Sequence, residues 1–444
     1  MKRYLTFAVM LGAYFTGSAQ PLFIGEDGVL SDAVSSLCPG DTLYIYPGVY
    51  HVKPDEISRI SESGPYAIVF DMSMSGTPDM PIVVTGIPDV GGNRPIIDFS
   101  DVVLRNDENP EGFRITGFLL SGKHIHVSNL ECTGLQVTRT DHTQSENFRI
   151  CGGSFNTLEN ISCHDGMGIG FYINGDSHHN LIINCDAYNN YDSVSDISKR
   201  TGEPSGGNND GFGCHVNGGM DGNVFIGCRA WRNSDDGFDL INCYSPTSIC
   251  YCIAIENGFD AEGNNRADGN GVKGGGFGMK PRDIPLYKGE SPRHSVCNNV
   301  AFANKSHGIY SNHHLGGIEF LSNTSVCNGR ANYSMVNRKG PGKDDRIDVD
   351  GYGHSLRSNL SLSADDRHFM WIKDTPSDNE LLRIGLEDRV DGSPLLAPRD
   401  KDGMLAEECV EFIQSFILDG KGADFSDYPN AIAEARCVSG CDVQ

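Results

Sequence analysis

Residues Ile226–Asp239 read IGCRAWRNSDDGFD, and the first half of this stretch recurs along the chain. INCDAYNN begins at Ile183, CYCIAIEN at Cys250 and CNNVAFAN at Cys297. Each piece carries an Ala followed three residues later by an Asn: Ala187 and Asn190, Ala230 and Asn233, Ala254 and Asn257, Ala301 and Asn304. Two positions before each Ala stands Cys185, Cys228, Cys252 or Asn299. Cys163 precedes Cys185 by 22 residues and Cys228 precedes Cys252 by 24. The wider gaps, 43 and 47, hold two such periods or one period and a loop. A period near 20–25 residues, built from short apolar alternations and Gly/Asn turns, is the signature of a parallel β-helix. Equivalent residues then stack about 4.8 Å apart on successive coils. On that register Cys163, Cys185, Cys228 and Cys252 form an internal ladder of small, free thiols rather than disulfides. The Asn residues form a hydrogen-bonded ladder at a turn.

Outward from this core, LCPGDTLYIYPGVYHV (37–52) reads as turn, alternating strand and turn, and PIVVTGIP and RPIIDFS continue with short strands. The solenoid is expected to run over 20–385. From 386 to 444 the pattern changes. DGSPLLAPRDKDGMLAEECVEFIQSFI (391–417) takes on helical spacing near its end and is expected to cap or flank the solenoid. Residues 1–19 pair Lys2 and Arg3 with a short apolar run and small residues, the pattern of a secretory signal peptide. No other segment is long and apolar enough to span a bilayer. The expected product is therefore an exported monomer, in the periplasm, at the cell surface or in the medium. With 59 acidic and 35 basic residues, a formal net charge of -24, its surface suits neither nucleic acid nor an anionic membrane. Of the 15 Cys, Cys437 and Cys441 are the better disulfide candidates.

The second half of the opening stretch concentrates charge. After Ala-x-x-Asn comes Gly and an apolar residue: Gly211-Phe212-Gly213, Gly237-Phe238-Asp239, Gly271-Val272-Lys273 and Gly308-Ile309-Tyr310. Taken as one register, these place Asp210 beside Asp236 and Lys273 in the column of Asp239. Asp210, Asp235, Asp236 and Asp239 then meet at one edge of two coils. Four hard oxygen donors suit Ca²⁺, which takes six to eight oxygens, and do not suit Zn²⁺. The acidic stretch DAEGNNRADGNG (260–271) lacks EF-hand spacing and reads as a loop.

GCRAWRNSDDGFD, with NNDGFG before it and DGNGVKGGG after it, resembles polysaccharide lyase family 9, the pectate and rhamnogalacturonan lyases. CPGDTLYIYPGVY and ANKSHGIYSNHHLGG (303–317) are similar to the same family, and the resemblance covers most of residues 30–365. It implies a right-handed parallel β-helix, a catalytic Ca²⁺ on Asp210, Asp235, Asp236 and Asp239, and Lys273 as the base of a β-elimination on an acidic pectic polysaccharide. The family's Gly-Phe-Lys block is here Gly271-Val272-Lys273, and the Gly-rich GGGFGMKPRDIPLYKG that follows makes Lys280 a rival base. SNHHLGG is closer to the rhamnogalacturonan branch, which favours the rhamnogalacturonan I backbone over homogalacturonan. Arg232, Arg282 and Arg293 are candidates to bind substrate carboxylates. Tyr310, His313 and His314 are candidates to line the sugar groove. The rival readings are a β-helix glycosidase, with two of the Asp residues flanking the bond, and a β-helix that binds glycans without cutting them.

Overall fold

The Ala, Asn and Gly of the repeat meet at one corner of each coil. A side chain added to Gly237 would lie 2.6 Å from the Gly271 carbonyl, 2.9 Å from Asn257 Nδ2 and 3.0 Å from Ala254 Cβ. Gly211 is pressed in the same way against Ala230 and Asn233, and Gly271 against Ala301 and Asn304. Small residues let successive coils approach closely there, and that is the physical content of Ala-x-x-Asn followed by Gly. The computed structural model describes residues 19–439 apart from 62–63, 106–110, 142–143, 200, 219–221, 277–291, 341, 352, 372–380 and 389.

The described strands form one bent sheet of twenty, with two strands per coil, one of eleven, with one per coil apart from an antiparallel edge strand at Arg59–Ile60, and a two-stranded hairpin of Asn337–Arg338 and Asp348–Val349. Each coil therefore has three faces. One coil, for example, runs through Phe212–Val216, Asn223–Ile226 and Arg229–Trp231. The next resumes the eleven-stranded sheet at Phe238–Asp239, in parallel register with Phe212–Gly213. The bend in the larger sheet is made by one left-handed residue per coil, Asn160, Asn184, Gly227, Tyr251 and Asn298 in succession. Asn tolerates that conformation better than most side chains.

The interior is a set of ladders. Phe118, Phe148, Phe171, Phe212 and Phe238 stack along the inner side of the eleven-stranded sheet, with centroids 4.5–5.6 Å apart and planes within 12°. Such pairs contribute about 0.5–1.5 kcal/mol each beyond their burial. The Asn ladder runs Asn190, Asn233, Asn257, Asn304, Asn328 and Asn332, each Nδ2 donating to the next Oδ1 at 2.9–3.1 Å. Cys185, Cys228 and Cys252 are free and buried, as the register anticipates. Cys163 is also free and buried, but it does not share their column. It pairs with Ala187 and Cys132, two residues further along the strand. Both columns face inward and both take small side chains, so spacing alone confused them. A disulfide not anticipated from sequence joins Cys250 to Cys297 on adjacent coils. Cys441, and with it the Cys437–Cys441 pairing, lies outside the described residues, as do residues 1–18 of the expected signal peptide.

Helix α1 (Leu30–Ser35) places Leu30 and Val34 in the solenoid core at its N-terminal end. Helices α2 (Glu407–Gln414) and α3 (Tyr428–Ser439) do not plug the other end. They lie along the flank, where Cys409, Ile413, Phe425, Tyr428 and Ile432 cover an outward stripe of Ile183, Ile226, Ile253, Val300, Val326 and Leu360. No helix among the described residues is long and apolar enough to cross a membrane.

Candidate active site

The eleven-stranded sheet presents one outward column, Arg149, Tyr172, Gly213, Asp239, Lys273, Tyr310 and Ser334, one residue per coil. Asp239 and Lys273 owe their position to the Gly-apolar step before each, which carries the apolar residue inward and the next residue out. The turn after Asn233 brings Asp235 and Asp236 to the same edge.

Asp210, Asp236 and Asp239 are buried, and each offers a carboxylate oxygen to a cluster whose atoms all lie within 4.8 Å of one another. Asp210 Oδ1 accepts the Asp236 N–H at 3.1 Å, and Asp239 Oδ1 accepts the Ile241 N–H at 2.7 Å. Asp236 Oδ1 takes two bonds from Asn270, while its Oδ2 is buried and has no well-formed hydrogen bond. Lys273 Nζ stands 3.0 Å from that oxygen and 3.1 Å from Asp239 Oδ2. Asp235 stands apart from the three. Its two oxygens accept the backbone N–H groups of Asn208 (2.9 Å) and Asp268 (3.0 Å), so it ties two loops to the edge.

The electrostatics are those of too much negative charge in too little water. Burial, then the charges of Asp239, Asp235 and Asp236, push the Asp210 carboxyl well above its usual range. Burial pushes Asp236 up to about 7 despite Lys273. Burial pulls Lys273 down, but the surrounding carboxylates outweigh it and hold the ammonium well above its ordinary value. One lysine cannot balance four acids, and a buried unpaired carboxylate is costly. Convergent hard oxygens, one of them without a proper hydrogen bond, fit a hard divalent cation such as Ca²⁺.

His215 was not singled out from sequence. Its Nδ1 is 3.2 Å from the Tyr172 hydroxyl and its Nε2 3.8 Å from Asp239 Oδ2, and burial keeps its pKa low. The signal was available, since His215 follows Gly213 by two residues and so faces outward beside the Asp239 column. Tyr310 neighbours Lys273 on the next coil, and burial pushes its hydroxyl up to about 12. His313 lies beyond it, 3.1 Å from Asp348. The other groove candidates are elsewhere. His314 is wholly buried, its Nε2 2.7 Å from the Pro292 carbonyl, so it does not line a groove. Arg232 pairs with Glu256 in a separate cleft beside Phe302 and Val390, because the left-handed turn at that residue directs it away from Asp239. Arg293 hydrogen-bonds the Gly353 carbonyl. Lys280 and Arg282 lie outside the described residues.

Residues 25–354 match a sequence-family model described as Pel9A-like, right-handed beta helix region. Pectate lyase L of Dickeya chrysanthemi is 30% identical over 334 residues, 75% of this chain and 65% of that protein, so the chain spans just under two thirds of that relative's length. Among solved structures, one titled rhamnogalacturonan lyase is 35% identical, with a TM-score of 0.77 over 91% of this chain and 100% of that one. A crystal structure of pectate lyase Pel9A is 25% identical, with a TM-score of 0.61 over 88% of each chain.

Proposed function

The chain belongs to the Pel9A-like, right-handed β-helix family, and from that membership we propose that it is a polysaccharide lyase that cuts pectic polysaccharide by β-elimination. The observation that carries this reading is Lys273, held within 3.1 Å of Asp236 and Asp239 in a column that faces outward. We assign Asp210, Asp236 and Asp239 as the residues that would hold Ca²⁺; Asp235, expected from sequence to join them, instead braces the Asn208 and Asp268 loops beside the site. Bound there, the ion supplies Lewis acidity toward the uronate carboxylate on which charge builds as the C5 proton leaves.

The chain's own residues do the rest. Lys273 accepts the C5 proton at Nζ, the C–H electron pair becomes the C4–C5 double bond, and the C4 glycosidic oxygen departs with the C4–O electron pair and takes a proton from water. For this Lys273 must be neutral. Once the carboxylate charges around it are compensated, burial is what remains, and burial lowers an amine's pKa. Tyr310, protonated at any working pH, offers its hydroxyl to the sugar on the next coil. His215 flanks Asp239 from the preceding coil and is itself held by Tyr172, one coil further back.

A glycosidase needs two carboxyl groups on opposite sides of the scissile bond. Here the acids converge on one point beside a lysine, which favours elimination. The preferred substrate is the rhamnogalacturonan I backbone, supported by the higher identity and TM-score of the rhamnogalacturonan lyase structure relative to Pel9A. The signal-like residues 1–19 support action outside the cytoplasm. Incubation with purified rhamnogalacturonan I and homogalacturonan, following the ultraviolet absorbance of unsaturated uronide, tests the reading. Reducing sugar released without that absorbance would mark a hydrolase.

A further inference from the structure

The coils that present Asp239 and Lys273 on one side carry a second concave surface on another. A cleft of about 310 Å³ opens between the larger sheet and the C-terminal segment. Its lining charges are Arg94, Arg229, Arg399 and Lys401 against Asp186 and Asp400, a positive excess in a chain whose net charge is -24. The excess is built in. Arg229 and Arg399 are both buried and share one carboxylate, Asp186, at 2.9 and 2.7 Å. Their other bonds run to backbone carbonyls, Arg229 to Leu395 and Ala397, Arg399 to Gly403 and Gly227. Two guanidiniums on one carboxylate leave a positive charge in the cleft wall, where low dielectric strengthens its field.

Arg94 adds to it. Its hydrogen bonds go to neutral oxygens, Asn160 O at 2.8 Å and Ser162 Oγ at 2.6 Å. The acid in its field, Glu131, is already held by His164 at 3.0 Å. Lys401, whose side chain is 84% exposed, stands at the mouth and pairs there with the exposed Asp402 at 2.7 Å, so the unbalanced charge of the wall comes from the three arginines. Tyr188 and Trp231, stacked 4.1 Å apart, form the aromatic part of the wall.

We propose that this cleft is a second, non-catalytic binding site for a carboxylate-bearing oligosaccharide. This rests on the reading of the substrate as a pectic uronide. The cleft and the Lys273 column lie on different sheets, so a segment held at one is not the segment cut at the other. Holding polymer at the cleft raises the effective concentration of substrate at the site of cutting.

The test is calorimetric titration of the full chain in Ca²⁺ with an oligogalacturonide, a neutral oligosaccharide of similar length and inorganic phosphate. Two binding events are expected for the oligogalacturonide and none for the neutral sugar. In R94A/K401A one event should weaken at least tenfold, turnover of short oligosaccharides should hold, and KM on polymer should rise. Melting temperature is recorded throughout, and K401A alone, at an exposed position, serves if R94A disturbs the fold. A single event untouched by both variants overturns the proposal. So does phosphate binding at the cleft as tightly as the oligogalacturonide, since that marks a simple anion site. If no polymer yields unsaturated product but the cleft still binds oligogalacturonide, the lyase reading fails and the cleft stands. If product forms while the cleft variants bind like wild type, the reverse holds.

Discussion

Asp239 and Lys273 occupy the same position on adjacent coils, thirty-four residues apart in sequence, with Nζ 3.1 Å from Oδ2. The proposed base and a proposed metal ligand are thus one rung apart on a parallel sheet. Lys273→Ala should lower turnover by about 10²–10⁴, the usual contribution of a positioned base, with melting temperature in Ca²⁺ close to wild type. Lys280→Ala should cost far less. Steady-state rates on one polymer decide between them, and a dead Lys280→Ala beside a normal Lys273→Ala would overturn the assignment.

Asp236→Asn should behave oppositely with and without metal. Under chelation it removes a carboxylate that burial disfavours, so melting temperature should hold or rise. Asn270 can still donate to the remaining amide oxygen. In Ca²⁺ the wild type should gain melting temperature by ligand binding and the variant should not. Differential scanning calorimetry in both buffers reads the crossover. Turnover should vanish on chelation of the wild type and return with Ca²⁺.

The first loss of stability on acidification, between about pH 6.5 and 4, should come from buried histidines rather than from the acids. His294 and His354 continue a column that begins with Asn156, Asn180 and Asn223, and each accepts a backbone N–H at Nδ1 where an Asn would use Oδ1. Burial lowers the His354 pKa to about 3 and that of His314 to about 4. These rings stay neutral in the fold and titrate near 6.5 when unfolded. Their stabilising contribution is complete above pH 6.5 and is lost as pH falls toward 4. His354→Asn restores the column's usual acceptor and should flatten that limb of a urea-midpoint-against-pH curve.

Within the main ladder, Asn257 accepts from Asn233 and donates to Asn304 and to the Ala230 carbonyl. Asn257→Ala strands buried partners on both sides and should cost roughly 2–4 kcal/mol, at about 1–3 kcal/mol per unsatisfied group. Chemical denaturation measures it.

The Gly-apolar register was legible because each of its positions is sterically or electrostatically singular: only Gly fits the corner at Gly237, and only one column can hold Asp239 beside Lys273. The Cys163 column was misassigned because two inward positions on one strand accept the same small side chains. The flanking rather than capping position of α2 and α3 was not legible, because an amphipathic helix records that it buries a face and not which surface covers it. Arg232 and His314 went astray for a related reason. Neither the left-handed turn at Arg232 nor the burial of His314 is written in residue type, whereas His215 is found by counting two residues on from Gly213.

The Cys250–Cys297 bond closes a covalent ring of chain, 47 residues in sequence separation, and Lys273 lies within it. A single protease cut anywhere in that ring opens a loop and releases no fragment. The two ends stay joined through sulfur while the parallel strands on either side remain paired. Such a cut passes unseen on a non-reducing gel and divides the chain in two only after a thiol is added. Against a protease, the proposed base would stay tethered to its coil through a break that would leave an unlinked solenoid in two separate pieces of chain.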